Sequence, residues 1–337
     1  MQPILVIGIG GTGATVVTGI KRKMLAVPVL DIPVQLRWID IDTNGDAFGK
    51  AEELGLGFGE LILLNGFRVA DFVKHACTDD PYFPKWWNCT SQFYDLYPLV
   101  TPWQEEAHDW LHWFQKMGRR DRRLMLYYHY QKVKVILQKS IEAVLSRCDE
   151  NTSPLVVLSA STCEGMSGVI LDVAYLARHI FSMMGRPGHI LGVFALENIF
   201  AEAFMHAQEQ HIRSILNTVA TVKEIQHFAT TKYEFGSQGQ IITSDRVEPF
   251  DGYWLTERIQ NQSFGSKWPT DYFLEIASDL FEVSLSGNWT VPRKSKYVPS
   301  PLDTNTVADW LNWMTIYDKH LKDTNRPSPH ISREFDR

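Results

Sequence analysis

The sequence lacks the features that mark several large classes of protein. Lysine and arginine total 33 against 39 aspartates and glutamates, for a formal net charge of -6. A nucleic-acid surface usually needs a basic excess, so no nucleic-acid partner is expected. Only four cysteines occur in 337 residues (Cys77, Cys89, Cys148 and Cys163), too few and too scattered for a disulfide framework or a set of metal ligands. His206 and His211 stand five apart on a helical stretch, off a shared face, so no protein-built metal site is expected. No apolar run reaches the ~18 residues of a membrane span. The first residues enter an apolar strand with no basic region, apolar core and cleavage site before it, so a cytoplasmic protein with reduced thiols is the expectation. No G-K-[ST] follows the N-terminal glycines, which excludes a Walker A loop.

What is present is an ordinary globular composition, 45% hydrophobic and 21% charged, able to bury a sizeable core. Strand and helix signals alternate. Pro3 to Ile9 reads as a buried strand, Gly13 to Leu25 as a helix and Val34 to Ile41 as a second strand. Glu60 to Leu64 reads as a short strand. Phe67 to Ala76 and Trp103 to Lys116 read as helices, and Arg122 to Cys148 as one long amphipathic helix. Pro154 to Ser161 and His189 to Leu196 are further strands, with a helix over Gly168 to Met184 between them. Phe200 to Thr230 is helical, Phe250 to Ile259 a strand, Pro269 to Leu285 a helix and Val307 to Leu321 a last helix.

This order predicts an α/β fold, a doubly wound, mainly parallel sheet with helices on both faces. One domain is expected over 1–285, interrupted at about 77–115 by a tryptophan-rich insertion. A short C-terminal extension follows over 286–337. The 11 tryptophans suit core packing, and those between Trp86 and Trp113 also suit a partner surface.

The chemistry starts at "ILVIGIGGTGATVV", Ile4 to Val17. Gly8, Gly10 and Gly13 form G-x-G-x-x-G between a strand and a helix. Glycines there let backbone N–H groups approach an anion, and the helix N-terminus adds partial positive charge. A dinucleotide fold wants an acidic residue about 20 positions on; Asp40 and Asp42 lie farther, at the end of the second strand. Gly11 and the Thr12 hydroxyl enrich the loop in donors and suit a di- or triphosphate. An NAD-binding enzyme of the Rossmann type stays an alternative, without a visible acid/base set downstream. Cys163, at a strand-to-helix turn, has no histidine paired with it by sequence.

The order of the remaining segments is similar to that of the tubulin/FtsZ superfamily, and in particular of its bacterial tubulin-like branch often called TubL. "ILVIGIGGTGATVV" resembles the first nucleotide loop. "LRWIDIDTNGDAF" resembles the second, and "MGRRDRRLMLYYH" the third-loop segment. "VVLSASTCEGMSGVILDVAYLAR" stands where the superfamily has its glycine-rich signature loop. "RSILNTVATVKEI" resembles its R-x-x-x-N-x-x-A helix, and "FDGYWLTERIQNQ" with "YFLEIASDLFEV" its next strand and central helix, at about 269–285.

The resemblance implies GTP or GDP, with Mg2+ as a companion ion. Gly8, Gly10, Gly11, Thr12 and Gly13 would line the phosphates, with Asp42, Thr43 and Asn44 at the phosphate or metal end. Ser161, Thr162, Cys163, Glu164, Gly165, Met166 and Ser167 would form the second half of the cradle. Arg119 and Arg123 would reach phosphate oxygens, and Asn217 and Asn261 the base or ribose. Asp303 and Asp309 would be the catalytic acids, acting in trans across an assembly contact. The resemblance also implies self-association or a hetero-complex, with the superfamily's C-terminal domain reduced or absent.

The signature loop departs from its pattern. It reads "STCEGMSG", with expected glycines missing and Glu164 bringing a carboxylate toward phosphate oxygens. Like charges about 4 Å apart cost on the order of 1 to 4 kcal/mol, depending on exposure. Slow or absent GTP hydrolysis is therefore expected. A tubulin-like scaffold inside a multi-protein complex, without nucleotide turnover, is the second reading.

Overall fold

The computed structural model describes residues 3–27, 34–41, 47–57, 59–64, 119–149, 152–196, 217–228 (save 219, 223 and 226), 234–237, 240–243, 248–256 and 270–286. The expected tryptophan-rich insertion, the helices at Phe67 to Ala76 and Trp103 to Lys116, and the C-terminal extension beyond Ser286 lie outside these residues.

Among the described residues, six strands make one sheet: β1 (Ile4–Ile9), β2 (Val34–Asp40), β3 (Leu61–Leu63), β4 (Leu155–Ser161), β5 (His189–Ala195) and β8 (Gly252–Thr256). Their order is β3-β2-β1-β4-β5-β8, and every neighbouring pair is parallel. A separate antiparallel hairpin, β6 (Glu234–Ser237) with β7 (Gln240–Thr243), was not legible in the sequence. Helices among the described residues include α1 (Gly10–Ala26), α2 (Ala47–Glu53), α3 (Arg119–Tyr128), α4 (Tyr130–Leu145), α5 (Ile170–Met183) and α6 (Thr270–Ser286), with a 3-10 turn at Gly165–Val169 before α5.

Alternation along the strands sorts the helices onto two faces. Leu5, Ile7 and Ile9 of β1, with Val156, Leu158 and Ala160 of β4, share a core with Val133, Leu137 and Ile141 of α4 and Val173, Leu176 and Ile180 of α5. Ile4 and Val6, with Leu155 and Val157, meet Val16, Val17 and Ile20 of α1 and Phe273, Ile276 and Leu280 of α6 on the other side. The chain leaves β1 toward β2 and leaves β4 toward β5 in opposite directions. Right-handed crossovers then place α1 and α5 on opposite faces. Each fully buried Val, Leu or Ile contributes about 1.5–3 kcal/mol, so both faces are well anchored. α1 packs closely on α6 because residue 19 is glycine: a Cβ there would lie 2.6 Å from the Ala277 Cβ.

Three expectations need correction. The helix after the glycine loop begins at Gly10, not Gly13. The long helix expected from Arg122 to Cys148 is two, α3 and α4, separated at His129, whose backbone sits at φ -90°, ψ 9°. Hydrogen bonds from His129 N to the Met125 carbonyl and from Val133 N to the His129 carbonyl still bridge the junction, so the amphipathic pattern reads through it. α2 went unread because it has only seven residues, with Gly49 inside it.

Candidate functional site

In a doubly wound sheet the ligand crevice lies at the carboxyl ends of the strands, where the strand order reverses. Here that point is between β1 and β4. β1 delivers the glycine loop, and β4 delivers Ser161 to Ser167 beside it.

The glycines of the first loop have different duties. A Cβ on Gly8 would lie 2.3 Å from the Gly13 carbonyl oxygen, and one on Gly13 would lie 2.6 Å from the Ser159 carbonyl oxygen. Gly8 and Gly13 therefore let α1 approach the sheet. Gly10 adopts φ +69°, a conformation that only glycine enters without strain. Its carbonyl accepts the Trp38 indole N–H at 3.0 Å, so β2 holds the turn. A Cβ on Gly11 would meet nothing closer than the Glu164 Oε1 at 3.9 Å, which makes Gly11 the open position. Trp38 was not among the sequence candidates. Its place two residues before Asp40, on a strand paired with β1, was the available signal.

α1 has no N-cap side chain of its own and no acidic residue in its first turn. The acceptor comes from Glu164, 152 positions away. The Thr12 hydroxyl donates to its Oε1 at 2.8 Å, and the Gly11 and Thr12 amides also hydrogen-bond its carboxylate. The carboxylate stands where the helix N-terminus favours an anion. Burial pushes the Glu164 pKa up; the Thr12 hydroxyl pulls it down, and the charge of Asp40 adds to the rise. Asp40 ends β2, and its Oδ1 accepts the Ile41 amide at 2.8 Å.

The second loop is fastened inward. Thr162 N donates to the Ala195 carbonyl at 2.9 Å and Ser167 N to the Glu164 carbonyl at 3.0 Å. Cys163 N donates to Ser161 Oγ at 3.2 Å, and Ser161 Oγ and Cys163 Sγ are 2.9 Å apart. Three amides expected to face a phosphate thus serve the protein itself. Met166 is buried and walls Gly10, with its Cβ 3.1 Å from a Cβ built there. Gly165 opens the 3-10 turn.

The helical residues between 217 and 228 splint this loop. Asn217 donates its side-chain amide to the Cys163 carbonyl at 2.8 Å. Thr218 Oγ1 lies 3.1 Å from Thr162 Oγ1, and the Thr221 hydroxyl reaches Ser167 Oγ at 3.0 Å. Asn217, expected at the base or ribose, is thus brought to the site as a support of the signature loop.

Arg123 is a correction. Its guanidinium is fully buried and bonds Asp172 through Nε at 2.6 Å and Nη2 at 3.0 Å, and Glu224 through Nη1 at 3.0 Å. A buried arginine needs such partners, so Arg123 ties α3 to α5 and to the helical residues around 224 instead of reaching for phosphate. Arg119 opens α3. Asp42, Thr43, Asn44, Asn261, Asp303 and Asp309 lie outside the described residues. Among the described residues, no group of three or more His, Cys, Asp or Glu could hold a metal ion, and no helix is long and apolar enough to cross a membrane.

Compared with known proteins, residues 5–267 match a family model described as tubulin-like. No curated protein and no solved structure gives a significant match.

Proposed function

The chain belongs to the tubulin-like family, and from that premise we propose that it is a guanine-nucleotide-binding subunit that acts through assembly, with itself or with other proteins, and turns GTP over slowly or not at all. One observation carries the binding part. The loop from Gly10 to Thr12 already holds a carboxylate through the Thr12 hydroxyl and two amides. A loop that grips one anion at a helix N-terminus has the donors for another.

In this reading Gly10, Gly11, Thr12 and Gly13 take the terminal phosphates of GTP or GDP. Asp42, Thr43 and Asn44 serve the phosphate end, and Asn261 the base or ribose, while Asn217 supports the signature loop. A magnesium ion would supply the positive charge that polyphosphate needs beside Asp40 and Glu164. Slow turnover follows from the second loop, where the Thr162, Cys163 and Ser167 amides have internal acceptors. Hydrolysis draws on donors aimed at charge that develops in the transition state, and these three point elsewhere.

The test is to denature the purified protein and separate the released small molecules by anion exchange. Guanine nucleotide is the expected product, from the isolate or after loading with GTP. NAD in its place would overturn the reading. The inward-facing loop specifically favours a second reading, a tubulin-like scaffold without nucleotide. Recovery of no nucleotide, together with a flat GTP titration, would support that scaffold.

A further inference from the structure

Glu164 lies on the donors that a phosphate would use. Its Oε1 takes the Thr12 hydroxyl. Its Oε2 packs against Gly10, 2.5 Å from where a Cβ would stand. The two amides at the start of α1 complete the grip. The backbone beneath it is fixed: the Glu164 carbonyl accepts Ser167 N, and the Cys163 carbonyl accepts Asn217. The side chain has three rotatable bonds, and residues 164 and 165 both keep some exposure to solvent. The part with freedom to rotate is thus the carboxylate arm, beside a glycine that offers no side chain to block it.

We propose that Glu164 is a built-in, displaceable occupant of the phosphate cradle, competing with the phosphates of a nucleotide for Thr12 and the first amides of α1. This rests on the reading of that loop as a phosphate cradle. Phosphate oxygens and the carboxylate cannot share one set of donors without strong repulsion, so entry of a polyphosphate requires the arm to swing out. The closed fraction then sets the apparent affinity. An arm closed about nine-tenths of the time weakens binding about tenfold. Filling the cradle also caps α1, which has no local cap.

The experiment is calorimetric titration of the full chain with inorganic pyrophosphate, comparing wild type, E164A and E164Q. E164A should bind about tenfold more tightly than wild type if the arm is closed about nine-tenths of the time. E164Q keeps the shape without the negative charge and should show a smaller gain. It also covers the case in which E164A does not fold, since no gain in E164Q then counts against the occupant equally. Equal affinities, weaker binding by the variants, or no pyrophosphate binding by any of the three would overturn the proposal. Titration with GTP and ATP separates the two readings. A pyrophosphate gain without preference for GTP keeps the occupant and removes the guanine assignment. A GTP preference with equal affinities in all three proteins keeps the guanine assignment and removes the occupant.

Discussion

Gly10 and Gly11 are neighbours of one type, yet the fold asks different things of them. Gly10 combines φ +69° with a Cβ position 2.5 Å from Glu164 Oε2 and 3.1 Å from the Met166 Cβ. The conformation alone costs a residue with a side chain roughly 1–2 kcal/mol, and the close Met166 Cβ adds to it. Gly10→Ala should therefore lose at least about 2 kcal/mol by urea unfolding, once local strain and overpacking combine. Gly11→Ala should stay within about 1 kcal/mol, the amount that ordinary glycine-to-alanine changes move stability. Equal losses at both positions would mean that residue 10 does not hold the left-handed conformation.

Glu164 also predicts a pH dependence. Burial first, then the charge of Asp40, raises its pKa above the ordinary value of 4.5, against the opposing hydrogen bonds. A carboxyl whose pKa is raised on folding binds its proton more tightly in the native state. Its stabilising contribution is complete below the unfolded pKa and is lost as pH rises through the folded one. E164Q has no such proton. The stability of wild type relative to E164Q should therefore improve as pH falls from neutral into the acid range, in paired unfolding curves. A difference that is flat with pH would show Glu164 to be solvated.

At the scale of elements, the site depends on how helices are tied together. α1 supplies donors without a cap, β4 supplies the acceptor, and the helical residues around 217–221 hold the loop that carries it. The Arg123 cluster with Asp172 and Glu224 reaches the same helical residues from the other end. Removing the arginine would take a buried guanidinium away from two buried carboxylates, and breaking a buried pair in this way costs about 3–5 kcal/mol. R123A should lose stability on that scale. R123A combined with D172A and E224A should recover part of the loss, because the two carboxylates that faced the guanidinium go too. A minor loss in R123A would show the cluster to be hydrated.

For the whole molecule, the family supplies the expectation of a nucleotide-linked assembly, and the site supplies a limit on its chemistry. Purified protein incubated with GTP and Mg2+ should release phosphate slowly or not at all, measured against a no-protein control. Robust release by the isolated chain would mean that the second loop rearranges when nucleotide is bound.

Much of this was legible without coordinates. Near-continuous apolar runs within Pro3 to Ile9, Pro154 to Ser161 and His189 to Leu196 announce buried parallel strands, because a strand covered on both faces must be apolar throughout. The glycines at 8, 10 and 13 announce a tight turn into a helix, since no other residue allows that approach. α6, over Thr270–Ser286, also lies where a helix was expected from Pro269 to Leu285. Local pattern suffices for such features because their causes lie within a few residues.

Arg123 shows where that stops. Four arginines in "RRDRR" read alike along the chain, and only packing against Asp172 and Glu224, 49 and 101 positions away, makes one of them a core residue. Glu164 is the second case. Its sequence position marks it as an intruder among expected glycines, but not where its carboxylate goes. That depends on β1 and β4 lying side by side at the switch point, which brings Thr12 and Glu164 to 2.8 Å across 152 residues. The sequence by itself determined the parallel strands, most of the helices and a tight glycine turn into the first of them, all set by local steric and apolar patterning. Only the tertiary structure decided that the Glu164 carboxyl lies on that turn, because a contact between distant loops exists only once the sheet between them has formed.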